Sequence, residues 1–345
     1  MTTTPHAHGG VYVIYNPAKV ARLHRLKRLV RSFCLETNAG EPTWLPTSVT
    51  DPGTGQAARA VAAGASLVLA AGGDGTVRAV AAGVANTDVP LAILPYGTGN
   101  LLGRNIGIPP DDVAEAVEIA FYGYNSHADI SWLRIERGDE PPVLLPEGRL
   151  LPESHLQMLR ARDVTPPAAN EYPFLVIAGQ GWDAELFAGT DTRLKKHMGW
   201  GAYVVAGART LKVPNIKTLV ELDGHRRYRV TGRSILFANC SQLMAGITLV
   251  PGAQINDGLI DVTVFATQSG LIGWLDLFSK IAAQGVGIKQ SYLPGTDGRL
   301  DFRRARTIST RTRKPRLTQV DGDTIGKARD VFVRIDKQAL TLRHG

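Results

Sequence analysis

LVLAAGGDGT, residues 67–76, is the stretch whose reading decides the fold. Five apolar residues, Leu67 through Ala71, stop abruptly at Gly72-Gly73-Asp74-Gly75-Thr76. So short a run, ended by glycines, suits a buried strand of a parallel sheet. Beyond it Val77, Val80, Ala81 and Val84 recur at helical spacing, which sets the glycines between a strand and a helix. Glycine lets the backbone come close to a ligand. A turn ahead of a helix N-terminus presents N–H groups and a positive dipole end, the setting that favours phosphate. A glycine pair alone is also ordinary turn punctuation. Asp74 is unusual in such a turn, because its charge repels phosphate. It is expected to hold a cation or orient a hydroxyl.

A second element of the same kind follows. Leu91-Ala-Ile-Leu94 is another short apolar strand, running into Pro95-Tyr96-Gly97-Thr98-Gly99-Asn100 and then Leu101-Leu102-Gly103-Arg104. Two adjacent strand-to-helix turns put two backbone cradles on one carboxyl edge of a sheet, where open α/β sheets bind ligands.

Length and composition bound the rest. A chain of 345 residues with 44% hydrophobic content predicts two domains with substantial cores. Two cysteines, Cys34 and Cys240, argue against a disulfide scaffold and fit a reducing cytoplasm. The N-terminus MTTTPHAHGG has no apolar signal-peptide core, and no apolar run is long enough to span a bilayer. A net charge of +8 predicts attraction to polyanions, nucleic acid or anionic membrane.

Along the chain, residues 10–15 read as the first strand, ended by Asn16-Pro17, and residues 22–31 as a basic amphipathic helix whose basic side is a solvated face or an anion-binding one. Residues 53–58 spell GxGxxA, the dinucleotide fingerprint, but Thr50-Asp51-Pro52 precedes it where a strand is required, so it reads as a helix start. A further helix covers 111–121 and a strand 128–136. From there strands follow one another at 174–178, 218–222, 227–230, 234–239 and 260–265, the pattern of an antiparallel β domain. A Pro/Glu/Arg-rich segment at 137–172 reads as an insertion with one short helix at 153–160. Helices are expected at 195–211 and at 271–282, where Leu271, Trp274, Leu275, Phe278 and Ile281 share a face. Arg303, Arg304, Arg306, Arg311, Arg313, Lys314 and Arg316 form a basic stretch without an acid among them. It reads as a solvated face or as an anionic bilayer contact; no aromatics interleave it as a single-strand nucleic-acid platform requires. A last strand at 331–335 closes the β domain.

GGDGT followed some twenty residues on by PYGTGN resembles the diacylglycerol-kinase-type lipid kinases, whose nucleotide domain is related to that of NAD kinases. The opening strand with its Asn16-Pro17 turn is similar to theirs. So are residues 174–183 (FLVIAGQGWD), residues 251–261 (PGAQINDGLID) and the Val320-Asp321-Gly322-Asp323 stretch. The resemblance covers nearly the whole chain. It implies an α/β N-terminal nucleotide-binding domain at 10–128, with a C-terminal return at 338–345, and an antiparallel β-sandwich at 129–337 for the lipid, the active site lying in the cleft between them. It implies ATP and Mg²⁺ as cofactors. ATP would be bound by Asn16, Thr50, Gly72, Gly73, Asp74, Gly75, Thr76, Gly97, Thr98 and Asn100, its phosphates held by the two Gly/Thr turns. Asp323 takes the position of the family's general base, a glutamate, with Asp321 beside it; Asp74 completes the catalytic set. Asp257 resembles the ligand of a structural magnesium, with the backbone carbonyls of Gln254 and Leu259; without the resemblance Asn256-Asp257-Gly258 is an ordinary turn. Asp321-Gly322 likewise reads alone as a hairpin turn. The chain departs from the family at Ala18-Lys19-Val20, where a Ser-Gly pair is usual, and at Asp323.

There is no GxxxxGK[ST] phosphate loop, no GxSxG, and no histidine cluster at ligand spacing. The reading is therefore an ATP-dependent kinase for the hydroxyl of diacylglycerol or a related lipid. It is expected to be cytoplasmic and peripheral on an anionic membrane surface, with no nucleic-acid partner; a homodimer is one expectation. Two alternatives stay open: a small-molecule kinase of the NAD-kinase type, and a catalytically impaired nucleotide- or lipid-binding regulator.

Overall fold

The structure, a computed structural model, describes residues 9–136, 145, 149–181, 215–241, 250, 252–267 and 298–345. Two of the expected helices, at 195–211 and 271–282, lie outside them. The chain forms two compact units. The first contains residues 1–130, 144–173 and 336–345, the second 131–143 and 174–335. Residues 144–173, assigned to the second domain from sequence, thus group with the first.

The first unit is an α/β layer. Its strands are β1 (Val11–Tyr15), β2 (Thr43–Pro46), β3 (Leu67–Gly72) and β4 (Leu91–Pro95), and they run parallel in the order β4-β3-β1-β2. β3 and β4 are buried at every residue, as continuous apolar runs demand of strands covered on both faces. Helices α1 (Leu23–Glu36) and α5 (Val113–Tyr122) share a core in which Leu26, Val30, Cys34, Val117 and Phe121 meet Val13 and Leu69. Helices α2 (Thr54–Ala62) and α3 (Asp74–Val84) pack tightly on each other. A Cβ on Gly83 would meet the Ala57 side chain at 2.5 Å, and one on Gly53, which sits at φ +145°, would meet Val80 at 2.8 Å. The fingerprint-like Gly53 thus serves helix packing. Asp51 Oδ1 accepts the N–H groups of Gly53 and Gly55 and starts α2.

Short α4 (Leu101–Asn105) follows β4, and Asp112 caps α5 through the N–H groups of Ala114 and Glu115. β5 (Tyr124–Glu136) then leads into the second unit. The 149–173 stretch carries α6 (Glu153–Ala161), and Arg162 bonds Asn86 O and Asp88 at the end of α3. At the C-terminus Leu342 pairs parallel with Leu91.

After β6 (Glu171–Phe174), which belongs to the first unit up to Pro173, the second unit is built of antiparallel strands: β7 (Ile177–Gly181), β8 (Ile216–Leu222), β9 (Arg226–Gly232), β10 (Ser234–Ala238), β11 (Ile260–Thr267), β12 (Gly298–Ala305), β13 (Thr307–Val320) and, as far as Ile335, β14 (Asp323–His344). The order is β12-β11-β10-β7-β13-β14, and β8 and β9 add to the first half of β13. Val220, Leu222, Tyr228 and Val230 face Val262 and Val264 across an apolar space, which makes the unit a sandwich. The single strand expected at 174–178 is broken between Phe174 and Ile177. The physical reason is that the Leu175 and Val176 N–H groups turn to the Asp321 carboxylate. β14 is 22 residues long and absorbs both the strand expected at 331–335 and the C-terminal return.

Candidate functional site

The carboxyl ends of the first unit's strands coincide. Tyr15 lies opposite Ala71, and Gly72 opposite Pro95. Asn16 N–H donates to Ala71 O and Tyr96 N–H to Gly72 O, each at 2.9 Å. Asn16, Gly73 and Tyr96 therefore leave the sheet side by side. The two Gly/Thr turns touch: a Cβ on Gly97 would stand 2.7 Å from Gly73 Cα, and one on Gly73 3.3 Å from Gly97 Cα. Only glycine permits so close an approach.

Asp74 closes this arrangement. Its Oδ2 accepts the Asn100 N–H at 3.0 Å and its Oδ1 the Leu101 N–H at 2.5 Å. The carboxylate of α3's first residue thus caps α4 by accepting two of its backbone N–H groups. That resolves the oddity of an acid in a phosphate-type turn. Asn100, in the left-handed conformation at φ 47°, locks the second turn: its Oδ1 accepts Gly97 N–H at 2.9 Å and its Nδ2 donates to Gly97 O at 3.0 Å. Arg104 Nε reaches Gly99 O at 2.9 Å. Thr76 is buried and packs on Gly72. Gly73, Asp74, Gly75 and Gly97 remain half-buried, and Thr98 is exposed. A half-buried glycine loop at the N-terminus of an eleven-residue helix fits the phosphates of a nucleotide. Asn16 Oδ1 accepts the Ala18 N–H at 2.9 Å, and the Thr50 hydroxyl bonds Ser48 Oγ at 3.0 Å.

In the second unit, Asp321 and Gly322 form a two-residue hairpin turn between β13 and β14, both with positive φ, 45° and 87°. Asp321 is nearly buried. Its Oδ2 accepts the Leu175 N–H at 3.0 Å; its Oδ1 accepts Val176 and Ile177 N–H at 2.9 and 3.0 Å. A carboxylate holding three backbone donors is an anchor. Gln319 Oε1 takes the Gly322 N–H at 2.8 Å. Asp323, two residues on, is exposed.

The Asp257 region behaves differently from a metal site. Leu259 N–H donates to Asp257 Oδ1 at 2.9 Å, and Arg304 Nη1 lies 3.7 Å from Asp257 Oδ2. Arg304 Nε also bonds Asp261 Oδ1 at 2.9 Å, and its Nη2 donates to Gly252 O. Burial pushes the Asp261 carboxyl up, while the guanidinium pulls it back; Asp261 in turn raises Arg304. Among the described residues no three acids, histidines or cysteines converge as a metal set. A divalent ion at Asp257 would face the guanidinium, so these residues do not fit a structural magnesium. Elsewhere in the basic stretch Arg311 pairs with Asp330 at 2.9 Å, while Arg306, Arg313 and Lys314 are exposed.

A glycine-locked nucleotide-type turn pair on a parallel sheet, followed by an antiparallel sandwich, defines a kinase-like two-unit protein. Residues 10–133 match the diacylglycerol kinase catalytic domain, and residues 176–344 match the YegS C-terminal NAD kinase beta sandwich-like domain. The chain belongs to this diacylglycerol kinase and YegS-like lipid kinase family. The "Probable lipid kinase YegS-like" protein of Pseudomonas putida is 30% identical over 258 residues, covering 71% of this chain and 72% of that protein. A diacylglycerol kinase of Staphylococcus aureus is 24% identical over 332 residues, 94% of this chain and 89% of that one. An uncharacterised Synechocystis protein is 26% identical, and the match spans 51% of its length. A crystal structure of a diacylglycerol kinase from Bacillus anthracis superposes with a TM-score of 0.63 at 17% identity, over 97% of each chain; this likeness concerns the fold alone. Among the described residues no helix is long and apolar enough to cross a membrane.

Sequence reasoning missed the roles of Arg304 and of Asp74 as a cap. Arg304 lies 43 residues from Asp261. Only the β11–β12 register, which sets Asp261 opposite Arg304, brings them together.

Proposed function

We propose that this chain is an ATP-dependent lipid kinase that transfers the γ-phosphoryl group to the hydroxyl of diacylglycerol or a related lipid. The observation that carries the reading is the Asp74 clamp, which holds the turns at 72–76 and 97–100 against each other, with Gly73, Gly75, Gly97 and Gly99 half-buried and Thr98 exposed. Backbone N–H groups of residues 73–75, with Thr98, Asn16 and Thr50 nearby in the chain's order of strand ends, would bind the phosphates. ATP, as its magnesium complex, supplies the phosphoryl group.

Phosphoryl transfer needs positioning, charge stabilisation and an oriented nucleophile more than covalent chemistry. In this reading Asp323 accepts the proton of the lipid hydroxyl as its oxygen bonds to the γ-phosphorus, and ADP leaves. Asp321 is a positioning residue that fixes the turn presenting Asp323. Aspartate is one methylene shorter than the family's glutamate, so the hydroxyl must come closer, or one water must relay the proton. The exposed Arg306, Arg313 and Lys314 favour an anionic bilayer as the place of work.

The test offers diacylglycerol, monoacylglycerol, ceramide, a sphingoid base and NAD as acceptors with labelled ATP. Label in a lipid supports the proposal. Label in NAD alone would replace the substrate class. The shorter carboxylate at Asp323 favours the regulator as the second reading, and ATP binding without transfer to any acceptor would select it.

A further inference from the structure

We propose that the Arg304 guanidinium is the built-in cation of the 252–261 loop, so that this chain holds the loop without a divalent metal. The planar fork meets three oxygens from three points of the loop: Gly252 O, Asp257 Oδ2 and Asp261 Oδ1. A guanidinium carries five donors in a fixed plane and is suited to acceptors spread around its edge. A hard dication instead gathers six or more oxygens around a point. Asp257 Oδ1 accepts the Leu259 N–H, and its other oxygen, Oδ2, faces Arg304 Nη1 as an ion pair at 3.7 Å.

The surroundings are shaped for the arginine. Gly252 sits at φ +93°, and a Cβ there would meet Arg304 Nη2 at 3.3 Å. Asp261 is buried, and its Oδ2 has no hydrogen-bond partner, so its charge depends on Arg304 across the strand pair. Arg304 and a bound dication would repel each other and compete for the same acids. The inference does not rest on the kinase reading, and its readouts are metal content and melting.

The full chain, purified without chelator, is assayed for bound metal. It is then melted without nucleotide in EDTA and in millimolar Mg²⁺ or Ca²⁺. The wild type is expected to hold less than about a tenth of an equivalent of divalent metal, with melting points within about 1 °C of each other. Arg304→Gln, which strands two acids, is expected to melt lower and to recover part of the loss in Mg²⁺ or Ca²⁺. Arg304→Lys keeps the charge without the fork and is expected to fall between the two in melting point. One equivalent of bound metal in the wild type, or a wild type that EDTA destabilises and Mg²⁺ restores, overturns the proposal. So does an Arg304→Gln protein that melts like the wild type.

Discussion

Asp74 Oδ2 accepts the backbone N–H of Asn100 at 3.0 Å, 26 residues along the chain. With the Leu101 N–H on its other oxygen, this one carboxylate determines where the second glycine turn sits relative to the first. Asp74→Asn keeps one acceptor but opposes an amide NH₂ to the remaining N–H. The expected cost is about 1–3 kcal/mol of stability, read as a lower melting point, together with at least about tenfold weaker ATP binding. Unchanged ATP affinity would separate the clamp from the nucleotide site.

Gly73 and Gly97 offer a graded test of the turn contact. A Cβ on Gly97 meets backbone at 2.7 Å, whereas one on Gly73 meets it at 3.3 Å. Gly97→Ala must push the turns apart; Gly73→Ala asks for a few tenths of an ångström. Calorimetric ATP titration should show the larger loss for Gly97→Ala. The reverse order would mean that close approach is not what the glycines provide.

Asp321 and Asp323 are expected to part company. Asp321→Asn removes the charge from a carboxylate that holds three N–H donors, at a cost of about 2–4 kcal/mol in stability. Asp323→Asn, at an exposed position, should leave the denaturation midpoint within about 0.5 kcal/mol of wild type while abolishing phosphoryl transfer. Urea unfolding of the two variants decides this.

The His155 imidazole on α6 is buried, with its Nε2 unpartnered. Burial, aided by the Arg162 charge, holds its pKa below the ordinary value. The unfolded chain therefore takes up the proton first as the pH falls. This contribution is complete above about pH 6.5 and is lost as acidification proceeds through the folded-state value. The melting point should fall more between pH 7.5 and 5.5 in the wild type than in His155→Leu, and equal falls would contradict the assignment.

The two turns were legible because glycine and threonine runs sit where apolar strands stop, and strand ends are local facts of sequence. The bonds of Asp74 were not legible. A carboxylate's partners lie wherever the fold brings donors, here 26 and 27 residues on. An acid that looks misplaced in a phosphate loop can be a cap. The break of the 174–178 strand had the same origin, since the donors that leave the ladder go to Asp321, about 145 residues away. For 137–172, composition marked an insertion; that its helix groups with the first unit, where Arg162 meets Asn86 and Asp88, depends on contacts the sequence does not show. At Asp257 the resemblance suggested a metal; the nearness of Arg304, which the β11–β12 pairing brings to Asp257 and Asp261, was not legible in the sequence.

The most direct measurement is transfer of labelled γ-phosphate from ATP to diacylglycerol in mixed micelles by the wild type and by Asp323→Asn, with ATP affinity determined for both. The account predicts a phosphorylated lipid from the wild type, none from Asp323→Asn, and equal ATP affinity. Transfer that survives Asp323→Asn, or a wild type that binds ATP and phosphorylates no lipid, would contradict it.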